Sequence, residues 1–179
     1  MTTLHRNFLA MATAAALGAA MIPGTASAGT ATTALAVSAT VVNNCTITTA
    51  PLAFGTYDTV GGAALNGTGT VTVACTSGAT STIGFALGGH ASGSVRRMSD
   101  VAVVNFLSYE IYQPPSNTPG AACSFPGTTV WGTAGANLLS LSAAPSKAGR
   151  TYNICGTINA GQDVPAGGYS DTVNATVTF

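Results

Sequence analysis

Side chains that could carry out chemistry are few in this 179-residue chain. Four cysteines could bind a metal ion or form disulfides: Cys45, Cys75, Cys123 and Cys155. Metal binding is disfavoured because no C-x2-C pair occurs and because His90 is the only histidine beyond the N-terminal segment. Four cysteines permit three disulfide pairings, and spacing alone does not choose among them.

Other reactive combinations are equally weak. Asp163 and Asp171 flank the turn sequence VPAGG and could act as a general acid and base, but we favour capping of that turn. Arg96 and Arg97 could bind an anion, but we interpret them as residues of a solvated hairpin. His90 lies in a loop sequence, and no G-x-S-x-G near a suitable histidine, phosphate-binding loop or H-E-x-x-H occurs. We therefore expect no enzyme, no cofactor, no metal and no small-molecule substrate.

The chain is poor in charge. Charged residues make up 6% of the sequence and the formal net charge is zero, whereas ordinary globular domains contain about 25% charged residues. Nucleic acids and anionic membranes require clustered basic charge, so we expect neither as a partner. A surface built from Thr, Ser, Asn and Gly carries little charge to keep protein molecules apart. Such a surface suits a protein that is covered by neighbouring subunits in an assembly.

The N-terminus has the pattern of a secretory signal peptide. A short basic region at His5 and Arg6 precedes an apolar run at Phe8–Ile22, and a small-residue triplet ends at Ala28. We expect cleavage between Ala28 and Gly29. The alternative, a membrane anchor, is disfavoured because the run is short and rich in alanine. An even cysteine count in an exported chain favours two disulfides.

Beyond Ala28, apolar residues recur at every second position, and Gly, Pro and Asn separate the segments. Many short strands of this kind predict an all-β antiparallel sandwich or barrel in one domain. A Pro-rich surface loop covers 113–123, and Cys123 could tether its far end. The predicted strands are 33–42, 45–49, 52–57, 69–75, 81–88, 104–112, 128–132, 137–142, 151–158 and 169–179.

The last strand raises a question of pairing. Its apolar side chains alternate with Thr and Asn up to the final residue, so one face is expected to be buried. No segment follows to pair with it or to cover that face. The apolar residues are Val173, Ala175, Val177 and Phe179.

Six stretches in order resemble the spore coat protein U domain, the subunit type of archaic chaperone–usher pili. The resemblance spans nearly the whole chain after the signal peptide and ends on the pattern G-x-Y-x-D-T and an aromatic last residue. The stretches are LAFGTYD (52–58), GTVTVACTSG (69–78), RRMSD (96–100), LSYEIYQ (107–113), VWGT (130–133) and GTINAGQDVPAGGYSDTVNATVTF (156–179).

The resemblance implies an incomplete immunoglobulin-like sandwich that lacks its last strand. It also implies three kinds of partner: a periplasmic chaperone that lends a strand, an outer-membrane usher, and other copies of the chain or related pilins. A neighbouring subunit's N-terminal extension then replaces the chaperone strand by strand addition. The family usually pairs its first two cysteines, which implies Cys45–Cys75 and leaves Cys123 to pair with Cys155.

The resemblance divides the chain into a signal peptide (1–28), a donor-strand extension (29–43) and a pilin domain (44–179). In the extension, every second residue from 35 to 41 is apolar, and neither Pro nor charge interrupts it. The alternative is an ordinary first strand packed on its own domain. The residues expected to enter the neighbour are Leu35, Val37, Ala39 and Val41. Those expected to line the receiving groove and meet the chaperone are Val173, Ala175, Val177 and Phe179.

We therefore interpret the protein as a pilin that passes through the periplasm into a surface fibre for adhesion and biofilm formation. One alternative is a secreted coat protein of the same fold that forms no long fibre. A tip adhesin is less consistent, because such subunits usually have two domains and no donor segment. A secreted enzyme is disfavoured by the missing site.

Overall fold

The structure, a computed structural model, describes residue 24 and residues 26–179. Most of the predicted signal peptide (1–28) lies outside the described residues. Within the described part, no helix has the length and apolar character needed to cross a membrane. The chain divides into two units, Met1–Ala39 and Thr40–Phe179. The described residues of the first unit form no helix or strand and are exposed.

The second unit contains eight β-strands and one short 3-10 turn at Gly135–Asn137. The strands are rich in Thr, Val, Ile and Tyr, residues that fit a pleated surface. They are β1 (Cys45–Ala53), β2 (Leu65–Cys75), β3 (Ser81–Phe85), β4 (Arg96–Ser99), β5 (Phe106–Tyr112), β6 (Leu139–Leu141), β7 (Arg150–Ile158) and β8 (Ala175–Thr178).

Two antiparallel sheets form a sandwich. One sheet has the order β1-β2-β7-β5-β4, and the other has the order β6-β3-β8. The long strand β2 alternates as the sequence predicts: Val71 and Val73 are completely buried, and Thr70 and Thr72 beside them are partly exposed. In β7 the alternation holds only at the start, where Thr151 is exposed and Tyr152 is completely buried, because residues 154–158 are all buried. The all-β prediction is confirmed.

Trp131 lies at the centre of the core. Its side chain is fully buried, its ring meets the Phe85 ring edge-on at 4.7 Å between centroids, and its Nε1 donates to the Ile83 carbonyl at 2.8 Å. Residues 128–132 do not form the predicted strand, and Val130 makes only an isolated bridge to Tyr112.

Other strand predictions also differ from the structure: of 169–179 only Ala175–Thr178 forms a strand, and β4 (Arg96–Ser99) lies outside the predicted strands. Residues 33–42 form no strand, since no segment of the described chain pairs with them. Of the predicted strand at 52–57, only Leu52 and Ala53 are in a strand, at the end of β1.

The interpretation of Arg96 as a solvated residue was wrong. Arg96 begins β4 and is completely buried, where it forms an ion pair with Glu110 on β5. Its Nη2 also donates to the carbonyls of Phe85 at 3.0 Å and Trp131 at 2.7 Å. These acceptors allow a charge inside the sandwich, because a buried guanidinium requires both a counter-charge and hydrogen bonds. Arg97 lies over the Phe106 ring at 4.2 Å.

Both disulfides are present with the expected pairing. Cys45–Cys75 joins β1 to β2 with a Cα–Cα distance of 4.1 Å. Cys123–Cys155 attaches the end of the Pro-rich loop to β7 with a Cα–Cα distance of 5.5 Å. The Asn153 amide strengthens this attachment by donating to the Ala121 carbonyl at 2.8 Å.

Candidate strand-acceptor groove

The C-terminal strand β8 has a partner on one side only. It pairs antiparallel with β3, in a register that places Thr178 opposite Thr82 and Val177 opposite Ile83. β8 is the last strand in its sheet. Its other edge is therefore free in the described chain.

The register decides which backbone groups reach that free edge. Ala86 N donates to Asn174 O at 3.0 Å, which makes 86 and 174 a hydrogen-bonded pair. In an antiparallel ladder the hydrogen-bonded pairs alternate, so Thr176 and Thr178 also turn their amides and carbonyls towards β3. Ala175 and Val177 turn theirs towards the free edge.

The first strand of the other sheet has a similar free edge. Thr76 N donates to Asn44 O at 2.9 Å, so the same alternation turns the backbone groups of Thr46 towards β2 and those of Cys45 and Ile47 away from it. β1 is at the end of its sheet. The Cα atoms of β1 and β8 approach within 8 Å, but the two strands share no hydrogen bonds.

The apolar face beside these edges is only partly covered. Val173, Ala175 and Val177 are half-buried against the core, and Phe179 is 52% exposed. A cleft of about 360 Å3 opens here. Its lining includes Leu52 on β1, Phe54 just after that strand, Val173 just before β8, and the core residues Phe85, Tyr109, Ile111 and Ile154. We call the two free edges and this cleft the acceptor groove.

Asp171 holds the chain at the beginning of the groove. Its carboxylate accepts hydrogen bonds from Tyr109 Oη at 2.7 Å, from Gly89 N at 2.8 Å and from Thr172 N at 2.8 Å. Burial, followed by the hydrogen bond to Asp171, raises the Tyr109 pKa well above its ordinary value of 10.0. Tyr109 is on β5, so Asp171 connects the segment before β8 to the opposite sheet.

The turn-capping interpretation of the two aspartates was therefore wrong for Asp171. Tyr169 Oη, which donates to Pro165 O at 2.9 Å, closes the VPAGG turn instead. Asp163 is exposed. Gly88 lies against the Asp171 carboxylate with φ of 98°, where a side chain would collide with it. The sequence motif G-x-Y-x-D-T drew attention to Asp171, but nothing in it pointed to Tyr109 or Gly88.

The proposed donor residues lie in an exposed segment that forms no helix or strand. Leu35 and Val37 are each 86% exposed, Val41 is 82% exposed, and Ala39 is also exposed. Ala28 and Gly29, on either side of the predicted cleavage point, are exposed as well. The structure thus contains an apolar segment without a partner and, separately, a groove with two unpaired edges.

An all-β sandwich with a free C-terminal edge strand is the arrangement that the sequence resemblance implies. A family model of the spore coat protein U domain matches residues 31–176. The chain belongs to this family. It is also 37% identical over 190 residues to "Protein U" of Myxococcus xanthus, and the alignment covers 97% of this chain and 98% of that protein.

A solved structure shares the fold. It is the pre-assembly complex of the chaperone CsuC with the tip adhesion subunit CsuE, from the archaic chaperone–usher Csu pili of Acinetobacter baumannii. The TM-score is 0.52 and the identity is 22%, and the match covers 78% of this chain and 41% of the solved chain. The likeness supports the immunoglobulin-like sandwich, and this chain spans less than half of the solved chain.

Proposed function

We propose that the protein is a pilin subunit that polymerises by donor-strand exchange. Residues 33–41 of one copy enter the acceptor groove of another copy and hydrogen-bond to the free edges of β8 and β1. The observation that carries this proposal is the free edge of β8, where the backbone groups of Ala175 and Val177 have no partner in the described chain.

The donor segment suits the groove in shape and polarity. A strand that lies between two edges turns every second side chain inwards, and Leu35, Val37, Ala39 and Val41 are the apolar set. Burying about 300 Å2 of apolar surface stabilises the contact by roughly 8 kcal/mol before losses. Main-chain hydrogen bonds add about 1 kcal/mol each, and the entropy of ordering the segment removes part of the total.

The proposal includes the route to the surface. The segment 1–28 directs export, and a periplasmic chaperone fills the acceptor groove until an outer-membrane usher adds the subunit to the fibre. The Phe179 carboxylate anchors in a basic cleft of the chaperone. The fibre serves attachment and biofilm formation. The fold likeness to a chaperone–subunit complex and the resemblance of 156–179 to the family's C-terminus support this route.

A coat protein that forms no long fibre is the second candidate. The family's description as spore coat protein and the 37% identity to Protein U favour it. Electron microscopy of cells that express the protein separates the candidates, since a pilin gives filaments and a coat protein gives a continuous layer.

Deletion of Thr33–Val41 tests donor-strand exchange. The deleted subunit should still co-purify with the chaperone, because its groove is intact, but it should give no heat-resistant ladder of multimers on an unboiled gel. If 33–41 is instead a resident strand, the deletion should unfold the domain and abolish chaperone binding. A deleted subunit that still forms the ladder refutes the proposal.

A further inference from the structure

Three residues, Val42–Asn44, connect the donor segment to β1, and Thr76 holds them. The Thr76 amide donates to Asn44 O at 2.9 Å, and the Thr76 hydroxyl accepts from Asn44 N at 3.1 Å. The same hydroxyl lies 3.3 Å from Val42 O and 3.4 Å from Asn44 O, so its one proton is shared between two carbonyls. The Cys45–Cys75 disulfide fixes the adjacent pair of residues.

These contacts continue β1 in an extended form beyond its first residue. Asn44 pairs with Thr76 in the register that β1 and β2 follow from Cys45 onwards. Asn43 and Asn44 have no positive φ, since Val103 is the only non-glycine residue with a positive φ in the described part. The connector therefore does not form the type I′ or II′ turn of a two-residue β-hairpin, since both turns need a positive φ.

The sequence of the connector would otherwise favour such a reversal. Asn tolerates the left-handed conformation that two-residue hairpin turns require, and two Asn stand between the donor segment and β1. A turn at Asn43-Asn44 would fold residues 33–41 back along the free edge of β1 in the same chain. The donor would then cover its own groove, and neither would remain for a second copy.

We propose that Thr76 determines which groove the donor segment enters. By pairing Asn44 as a continuation of β1, it disfavours the hairpin that would return residues 33–41 to their own chain, and so leaves them for the groove of another copy. This inference depends on the proposed donor-strand exchange and identifies the side chain that directs the exchange between molecules.

Replacement of the hydroxyl tests this role. Thr76→Val keeps the branched shape and removes the three side-chain contacts, whereas Thr76→Ser retains a hydroxyl. Thr72→Val is the matched control, because Thr72 is on β2, four residues before Thr76, and its hydroxyl bonds to Thr151 at 2.8 Å, away from the connector. Each exported chain is unfolded with its disulfides intact, refolded by dilution at several concentrations, and separated by size exclusion.

Thr76→Val should increase the fraction of assembly-incompetent monomer roughly fivefold, the change expected for losing about one hydrogen bond. This fraction should not depend on concentration, because self-insertion is unimolecular. Thermolysin, which cleaves beside Leu and Val, should spare residues 33–41 in that monomer. Thr76→Ser and Thr72→Val should give the same fraction of monomer as the wild type. In the wild-type monomer, thermolysin should cleave residues 33–41 rapidly.

A flexible connector gives a second test. Insertion of four Gly and Ser residues between Val42 and Asn43 should release the donor from Thr76 and give even more protected monomer. If Thr76→Val assembles like Thr72→Val and leaves 33–41 open to thermolysin, the role of Thr76 is refuted. If the wild-type ladder survives deletion of Thr33–Val41, donor-strand exchange itself fails, whatever Thr76 does.

Discussion

Tyr109 on β5 donates a hydrogen bond of 2.7 Å to Asp171, which lies 62 residues later in the chain. We predict that Tyr109→Phe destabilises the domain by roughly 1.5–3 kcal/mol, the usual range for a hydrogen bond to a charged group. The ring and its edge-on contact with Phe54 would remain. Urea unfolding measures the loss, and an unchanged midpoint would contradict a role for this bond.

The same pair predicts a dependence on alkaline pH. The pKa of Tyr109 in the folded chain is raised above the ordinary value of 10.0, so unfolded chains release this proton first as the pH rises. The stabilisation is therefore complete below pH 10 and is lost above it. Tyr112 and Tyr152 have raised pKa values too, so Tyr109→Phe should reduce the decline in unfolding free energy above pH 10 without abolishing it. Equal slopes for the two proteins would contradict the assignment.

Arg96 and Arg97 are adjacent but should respond very differently to mutation. We predict that Arg96→Met costs about 3–5 kcal/mol, because it leaves the partly buried Glu110 carboxylate without its counter-charge and the carbonyls of Phe85 and Trp131 without a donor. Arg97→Met loses a contact with the Phe106 ring and a hydrogen bond from Arg97 Nε to His90 O, each typically worth about 1 kcal/mol. Thermal unfolding of the two variants checks the difference. Equal losses of stability in the two variants would show that the ion pair of Arg96 with Glu110 contributes no more than the contacts of Arg97.

Charges on the inward face of the donor segment should stop polymerisation. Leu35→Asp or Val37→Asp would place an unpaired charge in a neighbour's core at a cost of several kcal/mol. Ser38→Asn, on the opposite face of the same strand, should have little effect. The unboiled multimer ladder is the measurement. Loss of the ladder in Ser38→Asn with normal assembly of Leu35→Asp would mean that the opposite face enters the groove.

The last residue should control capture by the chaperone. Phe179→Asp places a second negative group beside the terminal carboxylate and replaces the aromatic side chain, so we predict no chaperone complex and degradation in the periplasm. Thr178→Asp is the matched control, since Thr178 faces outwards beside it. Periplasmic subunit levels and chaperone pull-down measure both. Normal accumulation of Phe179→Asp would refute the proposed anchoring.

Much of the sandwich could be predicted from the alternation of apolar and polar residues alone. Val71 and Val73 in β2 and Tyr152 in β7 follow the two-residue period of half-buried strands, and they are buried as predicted. The interpretation of Arg96 as a solvated residue was wrong because a charged residue is expected at the surface unless its buried partners are known. Those partners, Glu110 and the carbonyls of Phe85 and Trp131, are brought together only by tertiary structure.

The groove was predictable in part. The apolar face of Val173, Ala175 and Val177 follows from periodicity, but the free edge depends on which strand lies beside β8, and local sequence does not encode that neighbour. The hydrogen bond between Tyr109 and Asp171 could not be predicted for the same reason. The residues of the Thr76 contact are also far apart, since Asn44 precedes Thr76 by 32 positions.

The approach of β1 and β8 to within 8 Å has a kinetic consequence. Neighbouring strands lie about 4.8 Å apart, so a strand bonded on both sides needs its two neighbours roughly 9.6 Å apart. Where the edges are closer than this, an incoming donor must wait for them to separate. We expect bare subunits to join slowly and with a steep temperature dependence, and subunits held open by another strand to join quickly.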